Sequence, residues 1–154
     1  MRRMFGILVL LLGIPGADSF GAVPAGFEDS VVATFASPTA IAFTPDGRLL
    51  ITTQPGKLFV VQNGSLVATP ALDLGASLCT NSERGLLGIA VDRSFASNGF
   101  IYLYYTFNRS GSCPSNTAAA PVNRVSRFTL SAGNTVNRAS ELILLDNIPS
   151  PNGN

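Results

Sequence analysis

From Ser30 onward, apolar residues come in short runs separated by turn formers, and nowhere do they recur at helical spacing over a sustained stretch. The pattern predicts an all-β chain. Candidate strands are Ser30–Phe35, Thr39–Phe43, Leu49–Thr53, Leu58–Gln62 and Leu66–Thr69, then Gly85–Val91, Phe100–Thr106, Asn123–Leu130 and Glu141–Leu145. Thr44-Pro45-Asp46-Gly47 presets φ at its proline and allows a positive φ at its glycine, so it is expected to link two adjacent strands. Gln54-Pro55-Gly56 and Asn63-Gly64 close the next two hairpins in the same way.

The two sets of strands follow one plan. PTAIAFTPDGRLLITT and RGLLGIAVDRSFASNGFIYLYYT both pass from an apolar strand through a polar corner to a second strand. Four strands joined by short hairpins make one propeller blade, and the small residues Ala40, Ala42, Gly85, Gly88 and Ala90 suit the crowded innermost strand of a blade. A β-sandwich also has short strands at regular spacing, so the pattern alone leaves both architectures open.

The first residues, MRRMFGILVLLLGIPGADS, place Arg2 and Arg3 ahead of an apolar run from Phe5 to Leu12, followed by Gly13, Pro15 and Gly16 and then small residues. This is the layout of an export signal, expected over residues 1–22 with cleavage after Ser19 or after Ala22. The run is too short to cross a bilayer, which takes roughly twenty apolar residues, so no stable membrane span is expected.

With 46% hydrophobic and 12% charged residues, the chain can bury a core. Ten basic residues scattered against nine acidic ones leave a net charge of +1 and no basic stripe, which argues against nucleic acid as a partner. Cys79 and Cys113 are the two cysteines, and an even count in an oxidising compartment favours a disulfide. A zinc pair is the competing reading, but with no histidine in the chain these two cysteines do not complete the usual four-ligand site.

The stretch SERGLLGIAVDRSFASNGFIYLYYT, together with NRVSRFTL, closely resembles the glucose/sorbosone dehydrogenase family. That resemblance implies an all-β, six-bladed β-propeller that oxidises aldoses with pyrroloquinoline quinone (PQQ) and calcium. Residues 27–154 would form about its first two blades, with the C-terminal blades lying beyond this sequence. The tail LLDNIPSPNGN resembles the stretch leading into the family's catalytic histidine, so that base would follow the last residue.

The resemblance also implies that Glu83 stands at the corner facing sugar and quinone, where a characterised relative carries glutamine, and that Asn154 could line the pocket beside the base, although an Asn in a Pro/Gly turn reads by itself as a plain loop residue. A carboxylate at Glu83 could hold a sugar hydroxyl through a charge-assisted hydrogen bond. The alternative for Glu83 and Arg84 is a turn cap or a surface charge pair. The family's calcium ligands and the cations that clamp the quinone lie in later blades, so no metal ligand is assigned here. Asp46 in its Pro-Asp-Gly turn is a turn former. Tyr102, Tyr104 and Tyr105 suit either sugar stacking or packing between blades.

The expected function is therefore that of an exported, periplasmic or extracellular sugar dehydrogenase acting on a small-molecule sugar. The rival is a non-catalytic carbohydrate- or protein-binding propeller, similar to the hedgehog-interacting proteins. A lactonase-type propeller would need clustered carboxylate and amide ligands, of which this sequence shows only Glu83.

Overall fold

The computed structural model describes residues 23–115 and 120–150. The expected signal segment and Asn154 fall outside the described residues. The chain divides into a unit of residues 1–30 and a compact unit of residues 31–154. Of the first, residues 23–30 are irregular, with one turn closed by the Phe27 amide on the Pro24 carbonyl at 3.0 Å.

The compact unit consists of two antiparallel sheets. The first is built from β1 (Pro38–Phe43), β2 (Leu49–Thr53), β3 (Lys57–Gln62) and β4 (Ser65–Leu66) in that order, with β5 (Leu72–Asp73) also paired to β3. The second holds β6 (Leu86–Val91), β7 (Phe100–Phe107), β8 (Val122–Leu130) and β9 (Val136–Pro149), again in chain order. A one-turn helix α1 (Phe95–Asn98) lies in the β6–β7 connection. Each sheet thus has the four-strand meander plan of a propeller blade, with the outermost place in the first sheet shared by the short β4 and β5, which pair with the two ends of β3.

The two meanders match in detail. Both first strands carry a bulge after their first pair, between Pro38 and Ala40 in β1 and between Leu86 and Gly88 in β6. The β3–β4 hairpin turns on Asn63 and Gly64, both at positive φ (53° and 73°), as a two-residue loop that follows the strand twist requires.

The sheets share one core. Leu50, Leu58, Val60, Leu72 and Leu74 from the first sheet and its following loop meet Leu86, Phe95, Ile101, Leu103, Phe128 and Leu130 from the second sheet and its β6–β7 connection. Each such side chain, removed from water, contributes about 1.5–3 kcal/mol. Apolar residues stay exposed on the edge strands instead: Ile41 and Phe43 on β1, and Leu142, Ile143, Leu144, Leu145 and Ile148 on β9.

Three expected strands differ from those observed. Ser30–Phe35 forms no strand. Val31 and Val32 are exposed and find no ladder partner, and a lone strand leaves its backbone groups unpaired. Phe35 instead sets its ring against Phe59, with centroids 5.0 Å apart. The strand expected over Leu66–Thr69 shortens to Ser65–Leu66: the Val67 amide still reaches the Val60 carbonyl at 2.9 Å, but the chain then bends at Ala68 and Thr69 and returns to β3 only at the Ala71 amide, which donates to the Leu58 carbonyl at 2.8 Å. β9 runs well past Glu141–Leu145 at both ends, crossing three irregularities in its register with β8.

The end of the sheets where β1 and β6 begin carries the β2–β3 turn, the entry to β6 and the end of β9. The opposite end is closed by Arg48. Arg48 is buried, and its guanidinium pairs with Asp46 at 2.8 Å and donates to the Ser131 carbonyl at 2.9 Å and to Asn134 Oδ1 at 3.0 Å. Asn134 in turn donates to Gln62 Oε1 at 2.8 Å, which ties the first sheet to the β8–β9 turn of the second.

Candidate functional site

The corner Asn81–Gly85 leads into β6, and hydrogen bonds from the neighbouring sheet set its path. Gln54, in the β2–β3 turn, donates its side-chain amide to the Ser82 carbonyl at 2.7 Å and to the Arg84 carbonyl at 3.0 Å. The Gln54 carbonyl accepts from the Leu86 amide at 3.1 Å. The two carbonyls held by that side chain flank Glu83. Gly85, at φ 148°, passes so close to Gln54 that a Cβ there would stand 2.4 Å from the Gln54 carbonyl oxygen.

Beneath the corner lies a small buried polar network. Thr106 donates its backbone amide to the Gly85 carbonyl at 2.9 Å and its hydroxyl to Asn123 Oδ1 at 2.8 Å, while the Cys79 amide donates to the Thr106 carbonyl at 3.1 Å. Thr106 and Asn123 are both buried, so each of these bonds satisfies a group that would otherwise be desolvated without a partner.

Glu83 is exposed, and among the described residues its carboxylate has no hydrogen-bond or ion-pair partner. The surface pair considered for Glu83 and Arg84 is not formed. Arg84 points the other way and is fully buried. Its Nε donates to Ser150 Oγ at 3.3 Å, its Nη2 donates to the Ser150 carbonyl, and its Nη1 lies 3.4 Å from both Asn81 Oδ1 and the Cys113 carbonyl. Sequence reasoning passed over Gln54 as a plain turn residue, and for Arg84 it weighed a place in the corner against a turn cap or pairing with surface charges, without foreseeing its burial.

Cys79 and Cys113 are joined, with Cα atoms 5.5 Å apart, well inside the roughly 7 Å reach of a disulfide. The bridge fastens the loop between β7 and β8 to the segment just before the corner.

The three tyrosines take separate roles. Tyr105 is buried and shares Glu141 and Ser126 Oγ, the latter at 2.9 Å. Burial, followed by the Glu141 hydrogen bond, pushes its phenol up to about 12. Tyr102 donates to Asp92, and that hydrogen bond holds the Asp92 carboxyl below its ordinary range. Tyr102 and Tyr104, with Gly88, Ile89 and Val125, line an apolar hollow of about 230 Å³ on the open face of the second sheet. None of the three stands at the Glu83 corner.

Among the described residues, no group of three or more His, Cys, Asp or Glu side chains could hold a metal ion. The one cation at the corner, Arg84, is buried and already spent on neutral acceptors. The described residues therefore do not by themselves fit calcium or a quinone that carries carboxylates. What the corner presents is an exposed carboxylate, Glu83, on a backbone held on both sides by Gln54. No helix among the described residues is long and apolar enough to cross a membrane.

Comparison with known proteins agrees with this architecture. A curated relative, the uncharacterised protein slr1608 of Synechocystis sp., is 34% identical over 76 residues, covering 45% of this chain and 18% of that protein. The crystal structure of a putative oxidoreductase (glucose dehydrogenase) from Thermus thermophilus is similar at a TM-score of 0.60 and 28% identity, over 76% of this chain and 31% of the other.

The PQQ-bound aldose sugar dehydrogenase of Streptomyces coelicolor (TM-score 0.60, 23% identity, 79% and 34% coverage) and the apo-form of the soluble aldose sugar dehydrogenase of Escherichia coli (0.61, 23%, 77% and 32%) share the fold. The chain spans about a third of the length of these structures. Its two sheets are two blades of a β-propeller. The family described as Glucose / Sorbosone dehydrogenase matches residues 35–153, and the chain belongs to that family.

Proposed function

We propose that this chain forms the sugar-facing corner of an exported PQQ-dependent aldose dehydrogenase, with Glu83 as a substrate-hydroxyl acceptor. The observation that carries the reading is the contrast at Glu83 itself. Its carboxylate is exposed and unpaired among the described residues, while the backbone on either side is held by Gln54. With the backbone already held, binding a sugar hydroxyl orders only the Glu83 side chain, so little backbone freedom is lost in orienting the reacting sugar carbon.

When bound, PQQ would supply the two-electron acceptor for hydride leaving that carbon. The cations that hold the quinone, the calcium ligands and the histidine base belong in this reading to the blades beyond these two, with Asn154 beside the base. Export agrees with the disulfide between Cys79 and Cys113 and with the signal-like residues 1–22.

Dye-linked oxidation of aldoses by the full-length protein, with PQQ and calcium added, tests the reading. Glu83→Ala is expected to lower kcat/KM about tenfold to a hundredfold by removing one charged acceptor. Glu83→Gln keeps a neutral acceptor and should fall in between. A full-length protein that binds sugars without oxidising them would favour the non-catalytic propeller, and an unaffected Glu83→Ala enzyme would remove Glu83 from the site.

A further inference from the structure

We propose that Arg84 is a positioning residue that holds the Glu83 corner in register with the end of β9, and so sets the geometry of the sugar-oxidising site without touching substrate. The claim of an effect on turnover rests on the function proposed above. The claim of a mechanical link does not.

Arg84 is fully buried, yet among the described residues its partners are all neutral: Ser150 Oγ, the Ser150 carbonyl, Asn81 Oδ1 and the Cys113 carbonyl. Burying a guanidinium without a carboxylate is costly, and an apolar side chain of similar volume would fill the space without that penalty. Packing therefore does not account for an arginine at this position.

Reach and shape do account for it. The planar fork touches three separate stretches of chain at once: its own corner at Asn81, the disulfide-bound loop at Cys113, and the end of β9 at Ser150, which is 66 positions away in sequence. Lysine carries the charge but cannot span three sets of acceptors with fixed angles. The residues on either side of this bridge are the ones the functional reading needs. Glu83 precedes Arg84 directly, and Ser150 opens the SPNGN tail that ends at Asn154. A guanidinium bonded to both segments fixes the separation between the hydroxyl acceptor and the segment approaching the base.

The test uses the full-length protein with PQQ and calcium, comparing wild type with Arg84→Lys, Arg84→Met, Arg84→Ala and Ser150→Ala. Two measurements are made: kcat and KM for the aldose, and amide hydrogen exchange across residues 82–86 and 146–150. Misplacement on the order of 1 Å costs up to a hundredfold, so the Arg84 variants should lose about tenfold to a hundredfold in kcat with KM within about threefold.

Exchange should rise in both segments together and stay unchanged at the far end around Arg48. Millimolar guanidinium should recover part of the kcat of Arg84→Ala. Ser150→Ala, which removes only the hydroxyl, should show a smaller loss, and combining it with Arg84→Lys should be less than additive.

Wild-type kcat in the folded Arg84 variants would overturn the proposal. So would loss of kcat with exchange raised evenly through the blade and no recovery by guanidinium, since that is the signature of simple destabilisation. If Arg84→Met does not fold, Arg84→Lys and Ser150→Ala decide by the same measurements. Should the wild-type protein oxidise no aldose, the functional reading fails, and paired or unpaired exchange of the two segments then upholds or refutes the mechanical link.

Discussion

Gly85→Ala should loosen the candidate site without unfolding the sheets. A Cβ at this position would lie 2.4 Å from the Gln54 carbonyl oxygen and 2.6 Å from Gln54 Cγ, on a backbone held at φ 148°. The oxygen cannot retreat without giving up the Leu86 amide it accepts at 3.1 Å. Backbone strain of about 1–3 kcal/mol and the loss of a hydrogen bond worth about 0.5–1.5 kcal/mol together place the cost near 2–4 kcal/mol.

Native-state hydrogen exchange reads that cost where it falls. The Leu86 amide should exchange about thirtyfold to a thousandfold faster, while amides in the middle of β7 and β8 keep their protection. Gly47→Ala is the matched control. It also has a positive φ, 82°, but nothing lies within 4 Å of its Cβ, so it should cost only about 1 kcal/mol. Equal effects at Gly85 and Gly47 would refute the argument, because they would show that the close approach to Gln54 adds nothing.

Two further predictions concern stability. Replacing Cys79 and Cys113 with serine should cost about 4 kcal/mol through the loop that the bridge closes, and should raise exchange at the Asn81–Gly85 corner because the Cys113 carbonyl supports Arg84; mass spectrometry of non-reduced peptides finding both thiols free would count against it. In acid, the latch at the opposite end should release: hydrogen bonding from Arg48, and then from Thr44, lowers the Asp46 carboxyl from 3.8 to about 2. A folded-state value below the unfolded one means that this contribution is present above pH 3.8 and is lost as pH falls toward 2, so Asp46→Asn should flatten the acid limb of a pH–stability curve in that window.

The meander order was legible because turn chemistry is local. Thr44-Pro45-Asp46-Gly47 and Asn63-Gly64 dictate their own backbone angles, and both turn where the sequence expects. The repeat of apolar strand, polar corner and second strand likewise appears as two matching bulged sheets. Ser30–Phe35 shows where such reasoning stops. Its residues favour a strand, but a strand also needs a neighbour, and no described segment provides one. The ends of β9 were hidden for another reason. Asn137, Arg138 and Asn147 are polar and exposed on an edge strand, so no alternation marks them.

The corner was found as a place but not as an arrangement. Glu83 was singled out through a resemblance, whereas Gln54 and Arg84, which hold it, act through contacts about 30 and 66 positions apart in sequence. No local signal marked Arg84. Side chains alternate only along an extended strand, and Gly85 at φ 148° and Ser82 at φ 59° break the alternation of β6 before it reaches the corner. Glu83 instead sits in a turn closed by the Arg84 amide on the Asn81 carbonyl at 3.3 Å, so counting positions back from Leu86 assigns neither side chain to a face. Arg84 goes inward because Ser150, the Cys113 carbonyl and Asn81 Oδ1 meet it there, and only the folded chain brings those groups together. Glu83, with no such acceptors or donors to reach, stays on the exposed side.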